Sequence, residues 1–198
     1  MIVIGLTGSV GMGKSTTAAM FAAQGVPVFD ADATVHVLYR GRAIAPVEAA
    51  FPGVTRGGAI DREALGARVI GEVSAMKRLE AIVHPLVREE RIAFLDRSQA
   101  AGAAIALLDI PLLYETGSER DVDVVVLASA PEAVQKARVL ARPGMTEARF
   151  AAILAKQMPD AEKRRRARFV IETGDGLEAA ERQVRAVIAA LETGGSSA

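Results

Sequence analysis

Short aliphatic runs alternate along this chain with stretches whose apolar residues recur at helical spacing. Ile2 to Thr7 reads as a first strand, and Ser15 to Gln24 follows as a helix. Gly25 stands where a helix usually ends on a residue of positive φ. Val26 to Phe29, Ile105 to Leu108, Asp123 to Leu127 and Phe169 to Ile171 read as four further strands. The runs in the second half of the chain lack polar alternation, which predicts strands covered on both faces of a parallel sheet. A last helix is predicted over Leu177 to Leu191, with Leu177, Ala180, Val184, Val187, Ile188 and Leu191 along one face. The pattern is that of an α/β protein.

Two segments stand outside the alternation. From about Ala33 to Gln99 only helical patterns and turns are found, too long for a simple crossover, so a helical insertion is predicted. Insertions of this kind often carry the second substrate. From about Pro131 to Ala167 lies a segment holding most of the basic residues of the second half, read as a lid. The single chain then divides into a core of about residues 1–32, 100–130 and 168–193, an insertion over 33–99 and a lid over 131–167. The Gly/Ser-rich tail from Thr193 to Ala198 is expected to be mobile.

Composition narrows the setting. The chain has 198 residues, 51% of them hydrophobic, enough for a full core. Its 24 Lys and Arg balance 24 Asp and Glu, so no overall field draws it to nucleic acid or an anionic membrane. A small-molecule partner is expected, with the chain a monomer or weak homo-oligomer. Absence of cysteine excludes disulfides, zinc-thiolate sites and thiol nucleophiles, and fits a reducing compartment. The first apolar run is short and has no basic flank, so it reads as a strand and not a signal peptide. The segment from Ala100 to Tyr114 is broken by Asp109 and Pro111 and is too short to span a bilayer. A cytoplasmic location is expected.

The most informative string is GSVGMGKST, Gly8 to Thr16, between the first strand and its helix. It fits GxxxxGK[ST] with Gly8, Gly13, Lys14 and Ser15. Polyphosphate needs a ring of backbone N–H donors, and residues without Cβ let the main chain curl around it, while the helix aims its positive end at the same anion. Lys14 would reach the β- and γ-phosphates, and the Ser15 hydroxyl would ligate Mg²⁺.

Acids follow two of the strands. Asp30 and Asp32 come directly after the second, where ligands of open α/β sheets sit. Either acid could cap the next helix; Asp32 is the better placed to deprotonate an acceptor hydroxyl or hold a metal-bound water. Asp109 ends an aliphatic run in the manner of a Walker B strand, so it either approaches Mg²⁺ or caps a turn. In the lid, Gln135, Arg138 and Arg142 share one stripe available to phosphate, and Val134, Ala137 and Ala141 form the stripe expected to pack. Arginine suits phosphate because its planar fork donates in pairs and stays charged. The run KRRRAR, Lys163 to Arg168, reads as a solvated lid helix or a nucleotide-phosphate contact. His84-Pro85 lies after a predicted helix containing Leu79 and Val83, at a bend fixed by Pro85; His84 either caps or binds the acceptor.

Taken together, GLTGSVGMGKST, VFDAD, GAIDREAL, HPLV, DIPLLYE, the spacing of Gln135, Arg138 and Arg142, and Gln157 resemble the dephospho-CoA kinase family from Gly5 to about Gly174. The resemblance implies a P-loop kinase fold: a five-stranded parallel sheet flanked by helices, a helical acceptor-binding insertion and a helical lid. It implies transfer of the γ-phosphate of ATP, with Mg²⁺, to the ribose 3′-hydroxyl of dephospho-CoA, the last step of coenzyme A biosynthesis. By motif, Gly11, Met12, Gly13, Lys14, Ser15 and Thr16 would bind ATP with Arg142, and Asp32 would be the base. Thr7, Lys14 and Arg138 would line the reacting centre. His84, Pro111, Leu112, Leu113 and Glu115 would lie on the acceptor side, and Ser15 and Asp109 beside the metal. The chain departs from the family pattern at Arg168 and Thr173, where Asp and Asn are usual. The nearest rivals are other small-molecule kinases, of shikimate or nucleoside monophosphates. A nucleotide switch is disfavoured, since no NKxD or DxxG motif occurs.

Overall fold

The structure is a computed structural model that describes residues 1–194. In chain order its elements are β1 (Ile2–Thr7), α1 (Lys14–Ala23), β2 (Val28–Asp30), α2 (Ala31–Leu38), α3 (Ile44–Ala50), β3 (Thr55–Arg56), β4 (Ala59–Ile60), α4 (Arg62–Val69) and α5 (Val73–Ala100). There follow β5 (Ile105–Asp109), a 3-10 turn (Ser118–Asp121), β6 (Val124–Ser129), α6 (Glu132–Leu140), α7 (Glu147–Leu154), α8 (Asp160–Arg166), β7 (Phe169–Glu172) and α9 (Leu177–Gly194). The main sheet has the order β2-β5-β1-β6-β7, with β1 parallel to β5 and β6, and β6 parallel to β7. All five residues of β5 are buried, as its unbroken aliphatic sequence requires of a strand covered on both faces.

The chain forms two compact units: Met1–Phe29 with Ser98 onward, and Asp30–Arg97. In the first, Ile4 and Leu6 of β1, Leu107 of β5, Val126 of β6 and Ile171 of β7 pack with Phe21 of α1 and Val184 of α9. Parallel pairing brings Leu6 opposite Asp109 and Thr7 opposite Leu127, so the carboxyl ends of β1, β5 and β6 lie side by side. The α9 helix includes Thr193, whose hydroxyl bonds the Ala189 carbonyl at 2.9 Å; Gly195 to Ala198 of the expected mobile tail lie outside the described residues.

The second unit has its own core of Leu38, Val47, Phe51, Val54, Leu65, Val69, Leu79 and Val83. Here the expectation of helices and turns alone is not met, because β3 and β4 pair as an antiparallel hairpin. Its two-residue loop is Gly57-Gly58, both at positive φ (58° and 76°), the conformation that makes such a turn follow the strand twist. Glu48 ties the approach to β3 by accepting from Gly53 N–H at 2.7 Å and Thr55 hydroxyl at 2.6 Å. Pro85 also departs from expectation: it produces no break, and α5 runs through it for 28 residues. The lost N–H bond is outweighed by Leu79 and Val83 before it and Leu86 and Val87 after it, all packed on this core. His84 is therefore in mid-helix and caps nothing.

Candidate active site

At the carboxyl end of β1 the chain cannot continue as a strand or begin a helix without glycine. A Cβ on Gly8 would lie 2.7 Å from the Ala128 carbonyl oxygen, and one on Gly11 2.5 Å from Val139 Cγ2. Gly11 and Gly13 have φ of 79° and 84°, and Gly13 caps α1. The first-turn N–H groups of a helix have no intrahelical acceptor, so those of Lys14, Ser15 and Thr16 supply donors for an anion, with the helix dipole behind them. Ser15 and Thr16 are exposed there. Lys14 Nζ bonds Asp109 Oδ1, both side chains being largely buried, which places cation and carboxylate together at adjacent strand ends. Thr7 is fully buried and donates its hydroxyl to the Pro111 carbonyl at 3.2 Å.

The predicted lid meets the loop through side chains. Gln135 of α6 is buried and donates to the Val10 carbonyl at 2.8 Å; Gln157, beyond α7, accepts from Val10 N–H at 3.2 Å. The expected stripes on α6 are thus corrected: Gln135 and Val139 are buried, Ala137 and Ala141 are exposed, and Gln135 braces the loop instead of facing phosphate. Arg138 donates to Thr173 Oγ1 at 2.9 Å and to the Thr173 carbonyl at 2.7 Å. The Thr173 hydroxyl in turn donates to the Met12 carbonyl at 2.9 Å. Arg138, Arg142, Thr173, Gly11, Gly13 and Thr16 line one cavity of about 330 Å³.

The basic run of α8 is also corrected. Lys163 is fully buried and ion-paired with Glu115 at 2.8 Å. Arg164 forks onto Glu172 at 2.5 and 2.9 Å and reaches Asp160 at 2.7 Å, and these carboxylates hold its pKa above the ordinary arginine value despite partial burial. Arg166 pairs with Glu119 and covers the Tyr114 ring. Lys163 and Arg166 thus bracket the turn after β5 and Arg164 ties α8 to β7, while Arg165 and Arg168 stay exposed as a solvated face would be. Within that turn, Leu112 is exposed and Pro111 half-buried, but Leu113 is fully buried, so its side chain serves the core and only its backbone is open to a ligand role. Burial pushes the Glu115 carboxyl up, yet Lys163 and the Met158 N–H outweigh it and hold the group below the ordinary carboxylate range.

In the second unit Asp30 caps α2, its Oδ1 accepting from Ala33 N–H at 2.9 Å, and Asp32 is exposed in the first turn. Asp32, His36, Tyr39 and Arg62 contribute to a cavity of about 440 Å³ walled by Val35 and Leu65. Arg62 Nη1 lies 2.6 Å from His36 Nε2. Burial raises the Tyr39 pKa against the opposing pull of Arg62. His36, Tyr39 and Arg62 were not anticipated from the sequence. The signal was there: Asp32, Val35, His36 and Tyr39 fall at i, i+3, i+4 and i+7, one face of α2. His84 is exposed on α5 and does not line this cavity.

The family model of dephospho-CoA kinase matches residues 2–178. The chain belongs to the dephospho-CoA kinase family. It is 63% identical over 188 residues to a dephospho-CoA kinase of Mesorhizobium japonicum, covering 95% of each chain. It is 56% identical over 190 residues to one of Nitrobacter winogradskyi, covering 96% of each. A crystal structure of a Thermus thermophilus protein superposes with a TM-score of 0.82 at 39% identity, over 96% of this chain and 97% of that one. Dephospho-CoA kinase from Campylobacter jejuni, at a TM-score of 0.67 and 22% identity over 96% of each chain, shares the fold.

Thr173 occupies the position where the family resemblance leads one to expect Asn. Its γ-oxygen both receives Arg138 and donates to Met12, so threonine supplies one acceptor and one donor in a place where a carboxamide would do the same. Arg168, the other departure, covers the ring of Phe169 at 5.6 Å.

Proposed function

We propose that this chain transfers the γ-phosphoryl group of ATP to the ribose 3′-hydroxyl of dephospho-CoA, giving coenzyme A and ADP. The observation that carries the reading is the glycine-shaped loop with Lys14 beside Asp109, in a chain of this family. Gly11 to Thr16 hold the triphosphate, and Arg142 reaches it from the lid. The acceptor is bound by Asp32 with His36, Tyr39 and Arg62; Pro111, Leu112 and Glu115 are assigned to the acceptor by the family resemblance. His84 belongs to the acceptor side by motif alone.

The 3′-oxygen attacks the γ-phosphorus as the bond to the β–γ bridging oxygen breaks, and its proton passes to Asp32. What supports Asp32 is its position two residues beyond β2 and its open carboxylate, the cap of α2 being already supplied by Asp30. Charge develops on the transferred oxygens, so Lys14 and Arg138 stabilise the transition state more than the ground state. Arg138 must then exchange Thr173 for phosphate, as a lid residue does on closure. Thr7 holds the turn after β5 against the reacting centre.

Among the described residues no group of three or more His, Asp or Glu side chains could hold a metal. Mg²⁺ does not need one, since it keeps several waters and binds through substrate phosphates and one or two protein oxygens. The Ser15 hydroxyl and the Asp109 carboxylate fit that donor set. When bound, the ion would neutralise charge on the phosphates. No described helix is long and apolar enough to cross a membrane. Small-molecule substrates suit a chain that works in the cytoplasm as a monomer or weak homo-oligomer.

The test is product analysis by mass-resolved chromatography, with ATP, Mg²⁺ and dephospho-CoA, and with shikimate and nucleoside monophosphates in parallel. A product heavier by one phosphoryl group from dephospho-CoA alone is expected. Transfer only to another acceptor would overturn the assignment.

A further inference from the structure

Val10 is an unremarkable residue of the phosphate loop by sequence, one of the four variable positions between Gly8 and Gly13. Yet both of its backbone groups are taken by side chains distant in sequence, its carbonyl by Gln135 and its N–H by Gln157. A carboxamide on each side copies the pairing a strand neighbour would provide. Met12 is held at both groups as well, its N–H by the nearby main-chain carbonyl of Ser9 at 3.1 Å and its carbonyl by the distant Thr173 hydroxyl. The loop is thus fixed through Val10 and Met12 without drawing on the N–H groups of Gly13 and the first turn of α1.

Gln157 itself is in no helix or strand, a poor platform for a long side chain. What steadies it is the next residue. Met158 donates its N–H to Glu115 Oε1 at 2.8 Å, and the same oxygen is ion-paired with the fully buried Lys163 of α8. The dipeptide Gln157-Met158 therefore joins the phosphate loop to the turn after β5.

We propose that Gln157 is a positioning residue for the nucleotide: anchored through Met158 to Glu115 and Lys163, its carboxamide holds Val10 so that the loop is curved for polyphosphate before ATP arrives. The inference rests on the phosphate-binding part of the function proposed above and not on the identity of the acceptor. Pre-organisation of this kind raises affinity by removing the ordering cost from the binding step.

The variants that test it are Gln157→Met, which keeps the length and loses the acceptor, and Gln157→Glu, which keeps the acceptor. ATP binding is measured by calorimetry, alongside kcat, KM for each substrate, and thermal melting with and without ATP. For Gln157→Met, ATP affinity should fall about 5- to 10-fold, the net worth of one hydrogen bond, and KM for ATP should rise with it. KM for dephospho-CoA and kcat at saturating ATP should stay within about 2-fold, and the rise in melting temperature given by ATP should shrink. Gln157→Glu restores the bond to Val10 but brings a negative charge toward the triphosphate, so its loss of ATP affinity relative to wild type should shrink as salt rises, where that of Gln157→Met should stay constant. A lower melting temperature with unchanged ATP affinity would make Gln157 merely structural and overturn the proposal. Calorimetry separates this from the function itself: a wild-type chain that binds ATP yet leaves dephospho-CoA unchanged refutes the acceptor, not the role of Gln157.

Discussion

The phosphate loop in the first unit and the α2 cavity in the second present polar groups in different ways. In the loop the working groups are main-chain N–H donors, their curvature set by Gly11 and Gly13 and braced by Gln135, Gln157 and Thr173. In the α2 cavity they are side chains, His36, Tyr39, Arg62 and Asp32, set among the apolar Val35 and Leu65. A polyphosphate is the same in every nucleotide triphosphate, so a rigid backbone cradle suffices. An acceptor must be told from other acceptors, which needs side chains with individual donors and acceptors.

The widest separation of the two regions should come from the groups placed at the reaction itself. Arg138→Met is expected to lower kcat by about 10³-fold or more, as loss of an arginine from phosphoryl transfer does; a rate within a few-fold of wild type would remove it from the reacting centre. Asp32→Asn should lower kcat by about 10²–10⁴-fold while calorimetry finds ATP binding unchanged. Near-normal turnover would assign proton removal elsewhere.

Smaller effects sharpen the contrast between bracing and reading. Lys163→Met leaves Glu115 without its buried partner and should cost about 3 kcal/mol of stability, measured by urea unfolding. Because Glu115 is held below the ordinary carboxylate range when folded, its contribution is full above that range and is lost as pH falls through the depressed value. The stability difference between wild type and Lys163→Met should therefore narrow in acid; a gap that does not change with pH would contradict the pairing. Gly11→Ala forces a Cβ against Val139 at positive φ and should cost about 2 kcal/mol, with weakened ATP binding. Adding Val139→Ala should return part of it. Arg62→Ala should raise KM for dephospho-CoA about 10-fold with KM for ATP unchanged, and the opposite pattern would dissolve the comparison.

Legibility in the sequence followed the same division. The loop, β1, β5 and the run of α9 announce themselves because glycine positions and unbroken aliphatic runs are local signals. The hairpin at Gly57-Gly58 was equally local, but its strands are two residues each and carry too little periodicity to stand out. Pro85 misled because a proline reports the local cost of a break, whereas Leu79, Val83, Leu86 and Val87 decide the outcome through packing that spacing alone does not reveal. The α8 run misled for a related reason. Lys163 looks like its neighbours in sequence, and only the fold brings Glu115 to it from 48 residues away. The roles of Gln135 and Gln157 were legible as motif but not as chemistry, since their partner Val10 is far off in the chain.

The most direct measurement is phosphorus NMR of the reaction of dephospho-CoA with ATP and Mg²⁺ in the presence of the chain. A new phosphomonoester resonance coupled to the ribose 3′-proton, growing in step with ADP, is expected. Release of inorganic phosphate with dephospho-CoA unaltered, or a phosphomonoester at another position, would contradict transfer to the 3′-hydroxyl.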